Sequence, residues 1–169
     1  MLFKNKKGSA FIESLLFAPI MIFLVVMIAS RIIILTQSSS NNNASRTILR
    51  ECITCSSATN SNSPEHTLLN TLKNKSEEKL FLSEIRIINS LNNSILESVS
   101  FENIPLNEVS DSSLKYLNEY WEKGNILELD LYFSIMHVFS DDILAMGNFN
   151  PIPNGAKITV RGVIENDVF

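Results

Sequence analysis

Apolar residues are unevenly distributed along the chain and divide it into two parts. Most residues from Ser9 to about Leu35 are apolar, and the stretch from Leu15 to Ala29 carries no charge. At 1.5 Å per residue, roughly twenty helical residues cross a bilayer core of about 30 Å. The pattern therefore predicts a membrane-spanning helix over residues 9–35.

The segment after this run is polar, but its pattern still indicates a helix. Residues 37–43 are Gln, Ser and Asn, a composition typical of a linker. Ala44, Ile48, Cys52 and Cys55 then recur at helical spacing. We predict that one long helix, weakened at 37–43, continues through 36–55 and docks its amphipathic part on the domain that follows.

Residues 56–169 alternate between helix and strand signals. One predicted helix begins at Ser63-Pro64-Glu65, and a second begins at Ser110, buries Leu114, Leu117 and Trp121, and is ended by Gly124. Four strands are predicted over Phe81–Ile88, Ile95–Phe101, Ile126–Phe139 and Ala156–Ile164. The expected fold class is α+β, with a long N-terminal helix packed on a small antiparallel sheet and two short helices.

The charge balance of the downstream part argues against a nucleic-acid partner. The whole chain has a formal net charge of −4, and from Ile32 onward it holds 17 acids against 10 bases. Phosphate backbones require clustered Lys and Arg on the protein. Arg46 and Arg50 lie four apart on one face of the predicted helix, where we expect them to pair with acids of the domain.

Cysteine and histidine positions give no metal site. Cys52 and Cys55 are the only cysteines, and His66 and His137 lie far from them in sequence. The cysteines are expected to be a structural pair, either bonded as a short-loop disulfide in an oxidising compartment or inert. The strand that normally precedes a redox CxxC motif is not predicted here.

No pattern of catalytic residues is recognisable elsewhere in the chain. Neither histidine has a Ser or Cys nucleophile at recognisable spacing, and Asp141-Asp142 lacks the ligand alternation of a calcium loop. The five glycines form no phosphate-binding loop. The chain is therefore expected not to be an enzyme and to need no metal or cofactor.

Glu13 is the unusual residue of the apolar run. An acid at the centre of a membrane helix costs about 2.5–3.5 kcal/mol on insertion scales, and such acids usually have a partner. No basic residue lies three or four positions away on the same helix. If the chain were cut after Gly8, Ser9 would carry a new positive α-amine and Glu13 would be the fifth residue, so the acid of one subunit could meet the amine of another.

Two ordinary explanations of the N-terminal segment compete with this one. A cleaved secretory signal would need a small-residue site after its apolar core, and Ala29-Ser30 is a weak candidate. A plain anchor fits the length better and leaves Glu13 unexplained. In either case Lys4, Lys6 and Lys7 favour a cytoplasmic N-terminus and an exported domain.

The residues around Gly8 resemble a type IV prepilin signal. The basic leader of residues 1–8, Gly8 before the cut and Glu13 at the fifth position after it carry the resemblance. The run Glu13–Pro19 and the pair Arg46 and Arg50 resemble the TadE/TadF group, which are pseudopilins or minor pilins of the tight-adherence (Tad/Flp) system. The resemblance covers roughly residues 4–52.

Membership of that group would imply a role in filament assembly. A prepilin peptidase would cut after Gly8 and could methylate the amine of Ser9, and Glu13 would act in assembly. Partners would be that peptidase, other Tad/Flp pilins and pseudopilins, and an inner-membrane assembly platform. The domain of residues 56–169 would be periplasmic, or extracellular within a pilus. The alternative is an inner-membrane-anchored periplasmic binding module with no filament role.

Overall fold

The N-terminal part of the chain forms one uninterrupted helix. The computed structural model describes residues 6–59, 66–75, 80–134 and 155–166, with side chains from Glu13 onward. Helix α1 runs over Lys6–Ile53, 48 residues, and is about 72 Å long at 1.5 Å per residue. Pro19 lies inside it. The predicted continuation of the N-terminal helix into the domain is confirmed.

The polar segment of residues 37–43 is helical, although its composition is typical of a linker. Short hydroxyl side chains usually compete with the helix by bonding nearby backbone groups. Here the Ser45 and Thr47 hydroxyls donate to the carbonyls of Asn41 and Asn43, four residues earlier. These bonds satisfy the two hydroxyl groups within the helix. The polar segment is therefore a helical spacer.

The end of α1 is fastened to the last described residues of the chain. The carbonyl of Ile53 accepts a hydrogen bond from the backbone N–H of Glu165 at 2.9 Å. The carbonyl of Thr54 accepts one from the Asn166 amide. Carbonyls at a helix C-terminus have no partner within the helix. Here the C-terminal segment supplies those partners and fixes the helix to the domain.

The sheet has four antiparallel strands in the order β2-β1-β3-β4. Their bounds are Leu80–Ile88 for β1, Ile95–Pro105 for β2, Ile126–Ser134 for β3 and Gly155–Val163 for β4. All four predicted strands are present, and the α+β class is confirmed. Residues 135–139 of the third predicted strand lie outside the described residues. Strands β2 and β4 are the two edges of this sheet.

A bulge in β1 explains why its apolar residues do not alternate regularly. Leu82 pairs with Leu131 and Glu84 pairs with Asp130, which leaves Ser83 as the extra residue. Strict alternation from Leu82 would direct Glu84 into the core. The bulge shifts the phase by one residue, so that Ile85 and Ile87 are buried instead.

The two short helices differ from the prediction in length and position. The first, α2, covers Leu68–Asn74 and is capped by Thr67, whose hydroxyl accepts from the Asn70 N–H. Thr67 has an extended backbone, so α2 begins after it. The predicted helix start at Ser63-Pro64-Glu65 remains a prediction. Residues 60–65 lie outside the described residues.

The second short helix has the predicted cap and the predicted buried face. Ser110 caps α3, Asp111–Leu114, and the chain continues as a 3-10 helix over Lys115–Tyr120. Leu114, Leu117 and Trp121 are fully buried. The helical segment ends before Trp121, and Gly124 lies in the following turn with φ 96°.

One apolar core joins the inner face of the sheet to the helices. The inner face is the side covered by the end of α1, α2 and α3. The buried residues of this core include Ile48, Cys52, Leu68, Leu72, Leu82, Ile85, Ile87, Leu114, Leu117, Trp121, Leu127, Leu129, Leu131 and Phe133. The last turns of α1, from Ala44 to Ile53, are therefore part of the domain core.

Gly162 marks the closest approach of α1 to the sheet. A Cβ atom at this position would lie 3.0 Å from Cγ2 of Ile53 and 3.3 Å from Cδ2 of Leu49. We expect Gly162→Val to lower the free energy of unfolding by about 1–3 kcal/mol, because the added volume must push helix and strand apart. Urea unfolding in detergent, followed by fluorescence of the single tryptophan, would measure it.

Val163→Ala serves as the matched control for that experiment. Val163 is the next residue of β4 and is half exposed. A surface truncation of this kind should change stability by no more than about 0.5 kcal/mol. Equal effects of the two substitutions would contradict the close packing of α1 on β4.

Candidate assembly surfaces

The first surface is an exposed apolar band on α1. Glu13 is exposed on the helix, and the large apolar side chains after it are exposed as well. They are Leu15, Leu16, Phe17, Ile20, Met21, Ile22, Phe23, Leu24, Val25, Ile28, Ile32, Ile33 and Leu35. An exposed apolar surface of this extent marks a site of contact with protein or membrane.

This band meets the length and hydropathy required of a membrane span. The helix has an 18-residue window with a mean hydropathy of 2.6, and none of that window is buried within the molecule. The core helix of a soluble protein would bury such a stretch. α1 is therefore long and apolar enough to cross a membrane, as the sequence predicts.

The residues predicted to flank the cut, Gly8 and Ser9, lie at the start of the same helix. The backbone is helical from Lys6, so Lys7, Gly8 and Ser9 belong to the first turns of α1. Lys4 lies outside the described residues. The cut after Gly8 remains a prediction from the sequence.

Cys52 and Cys55 lie at the other end of α1 as buried free thiols. The sulfur of Cys55 lies 3.3 Å from the Glu51 carbonyl and 3.3 Å from the Thr71 hydroxyl. Burial raises the pKa of Cys52 well above its ordinary value, and the neighbouring Cys55 and Glu51 add to the effect. Burial also raises the pKa of the Cys55 thiol, although its hydrogen bond with Thr71 opposes the rise.

Both thiols should therefore be nearly inert in the folded protein. Only the thiolate reacts with iodoacetamide, and burial removes both thiolate and access. At pH 8 we expect alkylation of the folded chain to be on the order of 100-fold slower than in denaturant. Intact mass would count two alkyl groups after denaturation, whereas an unalkylated chain would show that the pair is bonded.

The second surface is a basic groove between α1 and the edge strand β4. Its volume is about 390 Å³. Its lining mixes apolar residues with three arginines, Arg46, Arg50 and Arg161. The groove is lined by Asn42, Arg46, Leu49, Arg50, Ile53, Thr159, Val160, Arg161 and Gly162.

Arg46 and Arg50 do not pair with the acids of the domain in the part of the chain that the structure describes. Both are exposed, and no described carboxylate lies within ion-pair distance of either. This outcome differs from the expectation of pairing. The reason is topological, because the acids nearest β4 lie on the opposite face of the sheet. The groove therefore retains two uncompensated positive charges in an otherwise acidic domain.

The opposite face of the sheet, here the outer face, carries a buried charge network. Asp130 and Glu128 lie on β3, with side chains that are at most 1% exposed. Arg86 of the neighbouring strand β1 forms ion pairs with both of them and with Glu84. From the other side, the Lys157 ammonium lies 2.7 Å from Asp130, and Arg161 pairs with Glu128.

Hydrogen bonds keep Asp130 ionised despite its burial. Burial alone would raise the pKa of this carboxyl group. Hydrogen bonds from Lys157, Thr159 and Arg86, together with the charge of Arg86, outweigh burial and hold the pKa below its ordinary value of 3.8. The Thr159 hydroxyl donates to Asp130 at 2.5 Å.

Two polar atoms of this network have ion-pair contacts without good hydrogen-bond geometry. They are Nε of Arg86, 3.3 Å from Glu84, and Oε1 of Glu128, 3.0 Å from Arg86. Both contacts contribute electrostatically, because an ion pair depends less on direction than a hydrogen bond does. The network therefore balances three acids with three bases without satisfying every donor and acceptor.

The remaining candidate residues form no site in the described residues. No group of three or more His, Cys, Asp or Glu side chains that could hold a metal is found there. His66 is exposed, next to the cap of α2. His137 and Asp141-Asp142 lie outside the described residues.

The sequence did not single out Glu128 and Asp130. They occupy the polar positions of the LELDLYF alternation, which predicts a solvent-facing row. Their burial depends on Arg86, Lys157 and Arg161, which the strand register brings from two other strands. The sequence signal that could have indicated this burial is the presence of basic residues at outward positions of the other predicted strands.

Comparison with known proteins identifies no relative. No family model, curated protein or solved structure matches this chain. The resemblance to TadE/TadF proteins therefore stands on its sequence motif alone.

Proposed function

We propose that this chain is a minor pilin or pseudopilin subunit for assembly of a Tad/Flp-type pilus, cleaved after Gly8 by a prepilin peptidase. The observation that carries the proposal is Glu13 on an exposed, apolar helix, five residues after Gly8. After the cut, the Ser9 amine supplies a positive charge about 6 Å from this acid along the helix axis. Pairing between subunits neutralises both charges and sets the axial register of the helices.

The shape of the molecule supports the proposal. The first part of α1 exposes its apolar side chains as far as Leu35, whereas its end, from Ala44 to Ile53, packs in the domain core. A subunit that packs through the first part and displays the domain at the end needs a rigid connection between them. The continuous helix of 48 residues provides it.

The same proposal places the N-terminus in the cytoplasm and the domain outside the inner membrane. Lys6 and Lys7 precede the apolar band, as in segments whose basic end stays cytoplasmic. The function is structural, and the chain needs no cofactor. The partners are the peptidase, other pilins of the system and its inner-membrane platform.

A second candidate is an inner-membrane-anchored binding module. The basic groove beside β4 favours it, because uncompensated arginines beside apolar residues can hold an anionic ligand. This function requires neither cleavage at Gly8 nor an acid at position 13.

Intact-mass and N-terminal analysis of the membrane-extracted protein would test the proposal, with and without the host's prepilin peptidase. We expect a peptidase-dependent N-terminus at Ser9, methylated or not. A retained Met1 would favour the anchored module. A cut near Ser30 would indicate a soluble exported domain and overturn the filament role.

A further inference from the structure

The two edges of the sheet have opposite charge. Edge strand β2 contains Glu97 and Glu102 and no base. Edge strand β4 contains Lys157 and Arg161 and no acid, and the groove beside it adds Arg46 and Arg50. The carboxylates that pair with Lys157 and Arg161 are buried, while the two cations are at least half exposed.

Both edges have backbone groups available for a further strand. Among the described residues, no backbone hydrogen bond joins β2 to a segment other than β1, or β4 to a segment other than β3. An open edge is a template for pairing with another chain. Like edges would bring like charges together, so only the pairing of β2 with β4 is attractive.

The strand count makes this pairing compatible with membrane insertion. Neighbouring strands alternate in direction across the four-stranded sheet, so β4 runs opposite to β2. A second copy shifted sideways without being turned over places its β2 antiparallel to the first copy's β4. All N-terminal helices then point the same way, as copies inserted into one membrane require.

We propose that β4 and the basic groove receive the β2 edge of a second copy of this chain, in a head-to-tail contact. Opposite residues of an antiparallel pair point to the same face of the sheet. Glu97 pairs with Ile87 and lies on the inner face, as does Gly162 of β4. With Glu97 opposite Gly162, the carboxylate enters the groove beside Arg46 and Arg50.

This contact does not close on itself. Each copy offers one acidic edge and one basic edge, so a heterologous contact leaves a free edge at each end of a row. The inference goes beyond subunit packing through α1. It holds for a filament subunit and for an anchored module, because it uses only the exported domain and a common direction of insertion.

Charge exchange would test the contact in the full chain in detergent micelles. We expect concentration-dependent association by analytical ultracentrifugation, weakened at least about tenfold by Glu97→Arg and by Arg46→Glu with Arg50→Glu. These side chains form no ion pair in the described part of the domain, and Glu97 accepts one exposed hydrogen bond, from the Ser98 N–H at 3.1 Å, so the substitutions should affect folding little. Mixing the Glu97→Arg protein with the protein that carries Arg46→Glu and Arg50→Glu should restore association. The acidic groove of the second protein then faces the basic β2 edge of the first.

Disulfide cross-linking between two differently tagged copies would test the orientation. Leu96 is the extra residue of a bulge in β2, so Ile95 follows Glu97 in the register and comes opposite Val163 when Glu97 is opposite Gly162. Both residues are half exposed. We expect Ile95→Cys in one copy to cross-link to Val163→Cys in the other, with no cross-link between two copies of the same variant. Links between identical positions, a monomer at all concentrations, or association that ignores the charge reversals would overturn the proposal.

Discussion

Asp130→Ala is expected to lower the free energy of unfolding by about 3–5 kcal/mol, a loss that leaves a marginally stable domain largely unfolded. The side chain is fully buried and receives hydrogen bonds or ion pairs from Arg86, Lys157 and Thr159. In the alanine variant, the donor groups of these three side chains would face a cavity where the carboxylate was. Because Arg86 keeps Glu84 and Glu128 as partners, we expect the lower end of this range.

The single tryptophan gives a direct measure of this effect. Trp121 is buried and donates its indole N–H to the Cys55 carbonyl at 3.1 Å, so its fluorescence reports the state of the core. Glu119→Ala, which removes an exposed carboxylate, is the control and should change stability by less than about 0.5 kcal/mol. Similar unfolding midpoints for both variants would show that the buried network contributes nothing.

The pH dependence of the free energy of unfolding distinguishes the contribution of the Asp130 charge from that of its side-chain volume. Its pKa is lower in the folded chain than the ordinary 3.8, so the folded state binds fewer protons than the unfolded state. The stabilisation is therefore present above about pH 3.8 and is lost as the pH falls through the folded pKa. Asp130→Asn should remove this acid-dependent part, and an unchanged acid profile in that variant would exclude Asp130 as its source.

Glu13→Leu is expected to abolish incorporation into filaments while leaving membrane insertion intact or improved. Leucine removes an acid that costs up to about 2.5–3.5 kcal/mol in a bilayer. It also removes the partner proposed for the Ser9 amine of a neighbouring subunit. The measurement compares the sheared filament fraction with the carbonate-resistant membrane fraction in cells that express each protein.

Glu13→Asp and Ser14→Leu provide the controls for this substitution. Aspartate keeps the charge on a shorter side chain and should retain part of the incorporation. Ser14→Leu adds the same apolar volume at the neighbouring position and should leave incorporation intact. Normal incorporation of the Glu13→Leu protein would remove the proposed role of the acid and favour the anchored binding module.

The features that follow from local sequence patterns were predicted well. The long helix, the four strands and the cap at Ser110 each depend on neighbouring residues, and each is present. The predicted helix start at Ser63-Pro64-Glu65 lies outside the described residues, and α2 itself begins after Thr67. The parallel bridge between Ser57 and Thr67 keeps Thr67 extended, and no local pattern indicates that bridge.

The surfaces were harder to predict, because they depend on which strands become neighbours. Glu128 belongs to a row expected to face solvent, and only the register beside Arg86 and Arg161 explains its burial. The same register places the basic edge strand β4 next to α1. A linear sequence shows Arg46 and Arg50 on a helix face but does not show which face of the sheet the nearest acids occupy.

The hydrogen bonds between the end of α1 and the C-terminal segment determine how the domain carries mechanical tension. Ile53 and Thr54 are joined to Glu165 and Asn166, so residues more than a hundred positions apart meet at one point. A load on α1 is therefore shared between the chain that follows Thr54 and the segment that follows β4, so two parts of the domain resist it at one point.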